Sequence, residues 1–557
     1  MTDRRGFLGG ALAVAALATA RGAAAQGTRV LRIGISQYPA TLHPNIDAMA
    51  AKSYVLGACM RPLTEFGPDW RPRTFLATEL ATFENGRAKR EPSPKGGEGV
   101  AVTYTIHPDA TWGDGTPVST RDVLFTWEVG RHPQSGVTAA ETYRRIHRID
   151  VHDGKTFTVH DEKLTYQYNL LNDFRLLPEH LERPVFEADP ATYRNRTLYD
   201  TDPTNPGLWH GPYRIVEVET GVRIVLERNP TFYGDPPFFD RVEIRTVENT
   251  AALEAHLLSG AVDMIEGSLG LSLDQALAFE RRHGDRYVVH YQPGLVYEHI
   301  DLDLRNPHLA KREVRRALLH AIDRELLVRQ LFAGRQPVAH ANVHPLDAVY
   351  DPDVPKYTHD PDRAASLLEA AGYRRGPEGV WVDGEGRRLS LRLSTTAGNR
   401  TRELVQQVLQ GMWRQAGIEV RIDNEPPRVF FGETVTKRRF EMAMFAWISS
   451  PENVPRSTLH CEEIPSEENG WSGQNFTGYC NPEMDALIDA IETELDFEKR
   501  RALWSRLQRL YTTDLPALPL YFRAEAHIWP RWLSGVRPTG HQAPVTLEIE
   551  HWRRTDA

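Results

Sequence analysis

A mixed α/β fold assembled from several cores is what this sequence predicts. Runs of alternating apolar and polar residues recur between segments with helical spacing, and no short internal repeat organises them. The 557 residues exceed what one simple core serves and correspond to about three or four domain-sized units. Hydrophobic residues make up 41% and charged residues 25%, an ordinary globular balance.

The chain opens with two arginines, Arg4 and Arg5, ahead of an uncharged apolar run from Phe7 to Ala20. That run is too short to cross a bilayer of about 30 Å as a helix, and Ala23 and Ala25 fit an A-x-A cleavage site. Residues 1–26 therefore predict an export signal, with the mature chain starting near Gln26 outside the cytoplasm. Arg4-Arg5 followed by Gly6-Phe7-Leu8 matches the twin-arginine type, and an ordinary Sec signal with a charged start is the alternative.

Strands are expected over 30–36, 100–106 and 156–160, where apolar residues alternate. The charged, Pro/Gly-rich stretch between Phe83 and Gly99 predicts a solvent-exposed loop. Ser119 with Asp122 three residues on forms a capping box opening a helix through Val123, Phe125 and Trp127. From Gly211 to Asp263 the pattern predicts strand, turn, strand, and a helix stopped at Gly260. Val314, Leu318, Ala321 and Ile322 line one face of a helix that Gly334 can terminate. Asp360-Pro361 starts a helix ended by Gly372, and the stripe Leu404 to Trp413 marks another stopped at Gly417. Asn481-Pro482 and Asp496 start two more, the second running to about Tyr511. LPALPLYF then predicts a strand.

The formal charge of -9 is mild for this length and argues against nucleic acid as a partner. Of the three cysteines, Cys461 and Cys480 bracket a polar loop and are expected to pair in an oxidising compartment, leaving Cys59 as a buried thiol. No G-x-S-x-G elbow, H-E-x-x-H helix or P-loop is present. In GWSG the second glycine comes one residue too early for a nucleophile turn, so Ser472 is a loop or ligand-contacting hydroxyl. The 21 histidines are scattered singly, and no CxxC or His-x-x-x-His spacing accompanies the cysteines, so neither cofactor nor metal is expected.

Six segments together resemble the family 5 solute-binding proteins of ABC importers, the dipeptide, oligopeptide and nickel receptors. They are ATWGDGTPVSTRDVLFTW (110–127), HGPYRIVEVETGVRIVLERNPTFYGDPPFFDRVEIR (210–245), LLSGAVD (257–263), REVRRALLHAIDRELLV (312–328), YTHDPDRAASLLEAAGY (357–373) and the long run from Tyr479 to Phe522. They occur in order over nearly all of the mature chain. The resemblance implies a bilobed α/β periplasmic-binding-protein fold (type II, cluster C) with an extra domain and a hinge. Lobe I would take 27–60, 190–285 and 523–557, the inserted domain 61–189, and lobe II 290–522. It further implies a non-catalytic, monomeric periplasmic receptor that closes over a peptide or peptide-like solute and presents it to the permease subunits of an importer. A nickel or metal-chelate receptor of the same fold is the second reading, and a secreted hydrolase or sensor using the fold is a third.

The resemblance also points to site residues. AMFAWISSPENVP (443–455) resembles the segment that ends a strand and contacts the ligand, placing Trp447 as an apolar wall. Peptide receptors of the family carry an aspartate just after that tryptophan for the ligand's ammonium. The matching position here is Ser450, with Ser449 before it. Serine cannot neutralise a buried ammonium, so a carboxylate from elsewhere, such as Glu452, would have to. Trp471, Ser472, Gln474 and Asn475 in GWSGQNF offer groups for an extended peptide backbone. Arg400 and Arg402 lie where the family places a carboxylate-binding arginine, before a helix expected from about 403, and Tyr38 and His43 lie in its cleft-bordering N-terminal loop.

Overall fold

In the computed structural model of the chain, residues 29–46, 49–137, 140–426, 429–468, 471 and 473–555 are described. The expected export signal and Ser472 lie outside these residues. No helix among the described residues is long and apolar enough to cross a membrane.

One ten-stranded sheet runs through the molecule. Its order is Glu419–Ile422, Ser390–Ser394, Met442–Ile448, Tyr287–Leu302, Ala517–Pro530, Met264–Ile265, Val30–Ile35, Arg241–Thr246, Arg223–Arg228 and Tyr213–Glu219. The two central strands, of 16 and 14 residues, are far longer than the others and pair antiparallel. One half of this ribbon, Tyr287–Pro293 against Ala524–Pro530, belongs with the strands around Val30–Ile35. The other half, Tyr297–Asp301 against Ala517–Phe522, belongs with Met442–Ile448. Between the halves the register slips, and Gly294, Leu295 and Val296 leave the ladder as a bulge. Leu295 N–H instead donates to Gly540 O at 2.8 Å. A Cβ on Gly294 would sit 2.7 Å from that same oxygen, so only glycine permits the approach.

Separate apolar cores lie on either side of the slip. The first-lobe core gathers Leu31, Ile33 and Ile35 with Tyr213, Ile244, Trp529 and Trp552. The second-lobe core runs from Ile300 through Leu391 and Trp413 to Tyr521. A four-stranded sheet of Ala88–Pro92, Glu98–Thr105, Thr156–Asp161 and Ile146–Val151 has its own core, including Trp112, Phe157 and Phe174. Phe125, Val129, Leu177 and Phe186 pack into the first-lobe core and seat that unit on it.

Several expected elements change in the structure. The stretch 83–99 is not a plain loop, because Ala88–Pro92 forms a strand on Glu98–Thr105 across a turn through Gly96 and Gly97. Lys89, Arg90 and Glu91 keep this edge charged, which discourages pairing with other chains. A third strand, Arg241–Thr246, precedes the helix Thr250–Ser259. The helix expected to end at Gly334 is two helices, Arg312–His320 and Arg324–Phe332, because Asp323 caps a new start by accepting from Leu326 N–H. The Ser119/Asp122 capping box and the Asp360, Asn481 and Asp496 caps form as the residues dictate. Cys461 and Cys480 are disulfide-bonded, and Cys59 is a buried free thiol.

Candidate functional site

Where the lobes meet around the bulge lies a cavity of about 440 Å³. The loop at Pro44 and Asn45 and the helix Ala50–Cys59 contribute on the first-lobe side, and Glu65, Asp173 and Arg175 join them. Gly294–Val296, Glu525 and His527 come from the crossing strands, and Ile448 and Ser449 close the second-lobe side. A smaller cavity of about 130 Å³ continues into the second lobe, walled by Tyr297, His299 and Trp447 with Asp301 and Gln474. Ile448 and Ser449 line both, so the two spaces adjoin. Ile448 is 71% exposed, although it ends a core strand. A large aliphatic side chain standing free in a cleft is an apolar contact waiting for an occupant.

The aromatic wall is built by packing. Trp447 stacks on Phe476 with centroids 5.8 Å apart and planes at 19°, and His299 lies parallel on another side at 6.3 Å. Phe445 meets Trp447 edge-on. His299 Nε2 is 3.2 Å from Asp301 Oδ1, which puts a polar pair at the inner end of the smaller cavity.

The charged groups of the main cavity differ in how far they are committed. Lys52 Nζ donates to the carbonyls of His43, Pro44 and Ile46 and so pins the loop it follows. Arg175 Nη2 donates to Glu65 Oε2 at 3.0 Å, while burial pushes the Glu65 carboxyl upward against that cation. Burial and the neighbouring Glu266 raise the Glu525 carboxyl to about 7. Burial holds the imidazoles of His527 and His541 near 4, so both are neutral at physiological pH.

Trp447 and Ser449 stand in the cavity walls, and Gln474 joins them. Ser450 lies just beyond, in the loop after the strand and outside both linings. Trp471 is half-buried with a left-handed φ of 61°, and its N–H donates to Ser466 O, away from either cavity. Asn475 is completely buried, with Nδ2 donating to the carbonyls of His460 and Tyr479 and Oδ1 accepting from Thr477. It ties the disulfide loop together and has no free donor to offer. Asn475→Ala should therefore lower the thermal unfolding midpoint, by about 2 kcal/mol of stability, because two carbonyls lose their partner. An unchanged midpoint would show that the loop does not depend on this side chain.

The remaining candidates sit away from the cavities. His43 is fully buried, 3.1 Å from Tyr193 Oη, and only its neighbours Pro44 and Asn45 reach the cavity. Tyr38 packs against the first-lobe core. The helix begins at Arg400, three residues earlier than expected, because Asn399 caps it by accepting from Arg402 N–H. Arg400 is exposed on its first turn. Arg402 turns inward to Glu298 at 3.1 Å, and Arg523 grips the same carboxylate from the crossing strand. Glu452 is held by Arg500 at 3.2 Å.

Sequence reasoning missed Glu525, His527, Glu65 and Arg175. A signal for two of them is present: Arg523, Glu525 and His527 alternate through an otherwise apolar strand, which places three polar groups on one face.

Residues 97–463 match the model described as bacterial extracellular solute-binding proteins, family 5 Middle. The chain belongs to this family. It is similar to the oligopeptide-binding protein OppA of Bacillus subtilis (strain 168), at 22% identity over 531 residues, 92% of this chain and 90% of that protein. OppA of Mycobacterium bovis (strain ATCC BAA-935 / AF2122/97) is 27% identical over 431 residues, 75% of this chain and 68% of its own. Among solved structures, the oligopeptide binding protein from Thermus thermophilus complexed with pentapeptide is 30% identical, with a TM-score of 0.72 over 94% of this chain and 96% of that one. The family is one of solute-binding receptors of ABC transporters.

Proposed function

We propose that the chain is an exported, periplasmic receptor that closes its two lobes over a peptide and delivers it to an ABC importer. The observation that carries this reading is the main cavity, to which the first lobe, the inserted unit, the crossing strands and the second lobe all contribute. A solute touching all four makes its full set of contacts only when the lobes are shut, and its differential affinity drives closure. The relatives named as oligopeptide-binding proteins, and the pentapeptide held by the Thermus structure, support a peptide as that solute. The apolar wall at Trp447 and Ile448 suits varied side chains, and Ser449 and Gln474 supply hydrogen bonds to a backbone.

The lobe boundaries at 27–60, 190–285 and 523–557 for the first lobe, 61–189 for the inserted unit and 290–522 for the second belong to the same proposal. The separate apolar cores on either side of the strand slip support them. The receptor acts as a monomer, leaves its ligand chemically unchanged and meets permease subunits at the outer face of the inner membrane.

Native mass spectrometry of gently purified protein, offered an equimolar pool of di- to pentapeptides, tests the reading. Retained peptides of unaltered mass, with a change in tryptophan fluorescence on binding, are the expected result. Release of hydrolysed fragments, or no retention at all, would overturn it.

A further inference from the structure

The main cavity holds a carboxyl group whose hydrogen-bonding capacity the described residues leave unused. Glu525 lines it from the crossing strand and its carboxyl accepts no hydrogen bond from any described residue, although its charge interacts with His527 and Arg523. Beside it Glu266 is fully buried, and neither of its carboxyl oxygens has a well-aligned hydrogen bond. Its Oε1 is 3.2 Å from His527 Nδ1, but that nitrogen already accepts the Gly267 N–H at 3.3 Å.

The cations within reach are engaged elsewhere. Arg523, two residues before Glu525 on the same strand face, makes its direct ion pair with Glu298 and reaches Glu525 only through a weaker charge interaction. Arg175 serves Glu65, and Lys52 is surrounded by the three carbonyls of its loop. His527 contributes no positive charge, because burial holds its imidazole near 4. Burial also drives the Glu266 carboxyl well above the ordinary carboxylate range, and burial with the neighbouring Glu266 raises Glu525 to about 7. Ionising Glu525 at this part-buried position is costly, and a positively charged guest able to hydrogen-bond it would offset that cost.

We propose that Glu525 holds a primary ammonium of the solute, at the crossing strands and not at the loop after Trp447. The loop offers no competing anion: Ser449 and Ser450 are uncharged, and the Glu452 carboxylate is paired with Arg500. Placed against Glu525, the ammonium would share the cavity with the Gly294–Val296 bulge, leaving the rest of the solute to extend toward Ile448 and Trp447. This inference rests on the peptide reading above and names the end of the peptide that the hinge side receives.

The test compares two pools by native mass spectrometry and titration calorimetry: free-amine di- to pentapeptides, and the same peptides N-acetylated. The parent chain is expected to favour the free-amine pool by about tenfold or more, the scale of a charge-assisted hydrogen bond. Glu525→Gln should erase that preference, and Glu525→Asp should keep part of it. Equal binding of both pools by the parent, or a preference that survives in Glu525→Gln, overturns the ammonium site while the peptide reading stands. Binding of neither pool overturns both. Should Glu525→Gln fail to fold, Glu525→Asp decides: a preference smaller than the parent's supports the site, and one equal to it overturns the site.

Discussion

Glu298→Gln should lower the stability of the protein by about 3–5 kcal/mol at neutral pH, a large share of what holds any domain folded. The Glu298 side chain is 1% exposed and is gripped by Arg402 and Arg523 from two different elements. Burial alone would raise its carboxyl, but the two guanidinium groups outweigh that and hold it below the ordinary carboxylate range. Glutamine keeps the shape and leaves the buried Arg402 without its anion, while the part-exposed Arg523 keeps its charge interaction with Glu525. The sign of the pH dependence follows from the depressed folded-state value. The stabilisation from ionised Glu298 is fully present above the unfolded-state value and is lost as pH falls through the folded one. The gap between parent and variant should therefore narrow below the ordinary carboxylate range. Urea unfolding at pH 7 and at pH 3 measures both, and equal midpoints at pH 7 would show that the triad adds nothing.

The second large effect is on ligand capture. Trp447→Ala should weaken peptide binding by about 10- to 100-fold, the range for an aromatic anchor at an interface centre. The side chain is oriented by Phe476 and Phe445 before any ligand arrives, so little ordering is needed on binding. Trp447→Phe should fall between the two, because a smaller ring can still lie on Phe476. Calorimetry against a peptide identified by mass spectrometry gives the ratio, and unchanged affinity in the alanine variant would remove Trp447 from the site.

Helix starts are legible in the sequence because their physics is local. Ser119, Asp360, Asn481 and Asp496 each satisfy orphan N–H groups of the helix that follows, and nothing distant competes. The crossing strand Tyr287–Leu302 is illegible for the opposite reason. Pro293 and Gly294 at its centre are breaker residues in isolation, and only the bulge against Gly540 and the partner strand make them tolerable. Asp323 is hidden because an apolar stripe continues across it, so the split shows only once its side chain accepts a backbone N–H. At the site, Trp447 and Ser449 reach the cavities through the end of a strand, whose alternation is readable. Arg402 lies on the helix face that meets Glu298, a residue far away in the chain, and no local spacing reveals such a pairing. Asn475 reads as a ligand donor from its neighbours alone, because burial, which assigns its amide to two carbonyls, is a tertiary property.

Each strand of the long antiparallel ribbon is pinned at one end into the first lobe and at the other into the second, so neither lobe owns a complete sheet edge. A fragment cut between them would expose a row of unsatisfied backbone donors and acceptors where its neighbour had been. The sheet of each lobe is thus completed by strands it shares with the other. Any turning of the lobes about each other would have to twist the ribbon, and the slip is where its ladder is already interrupted.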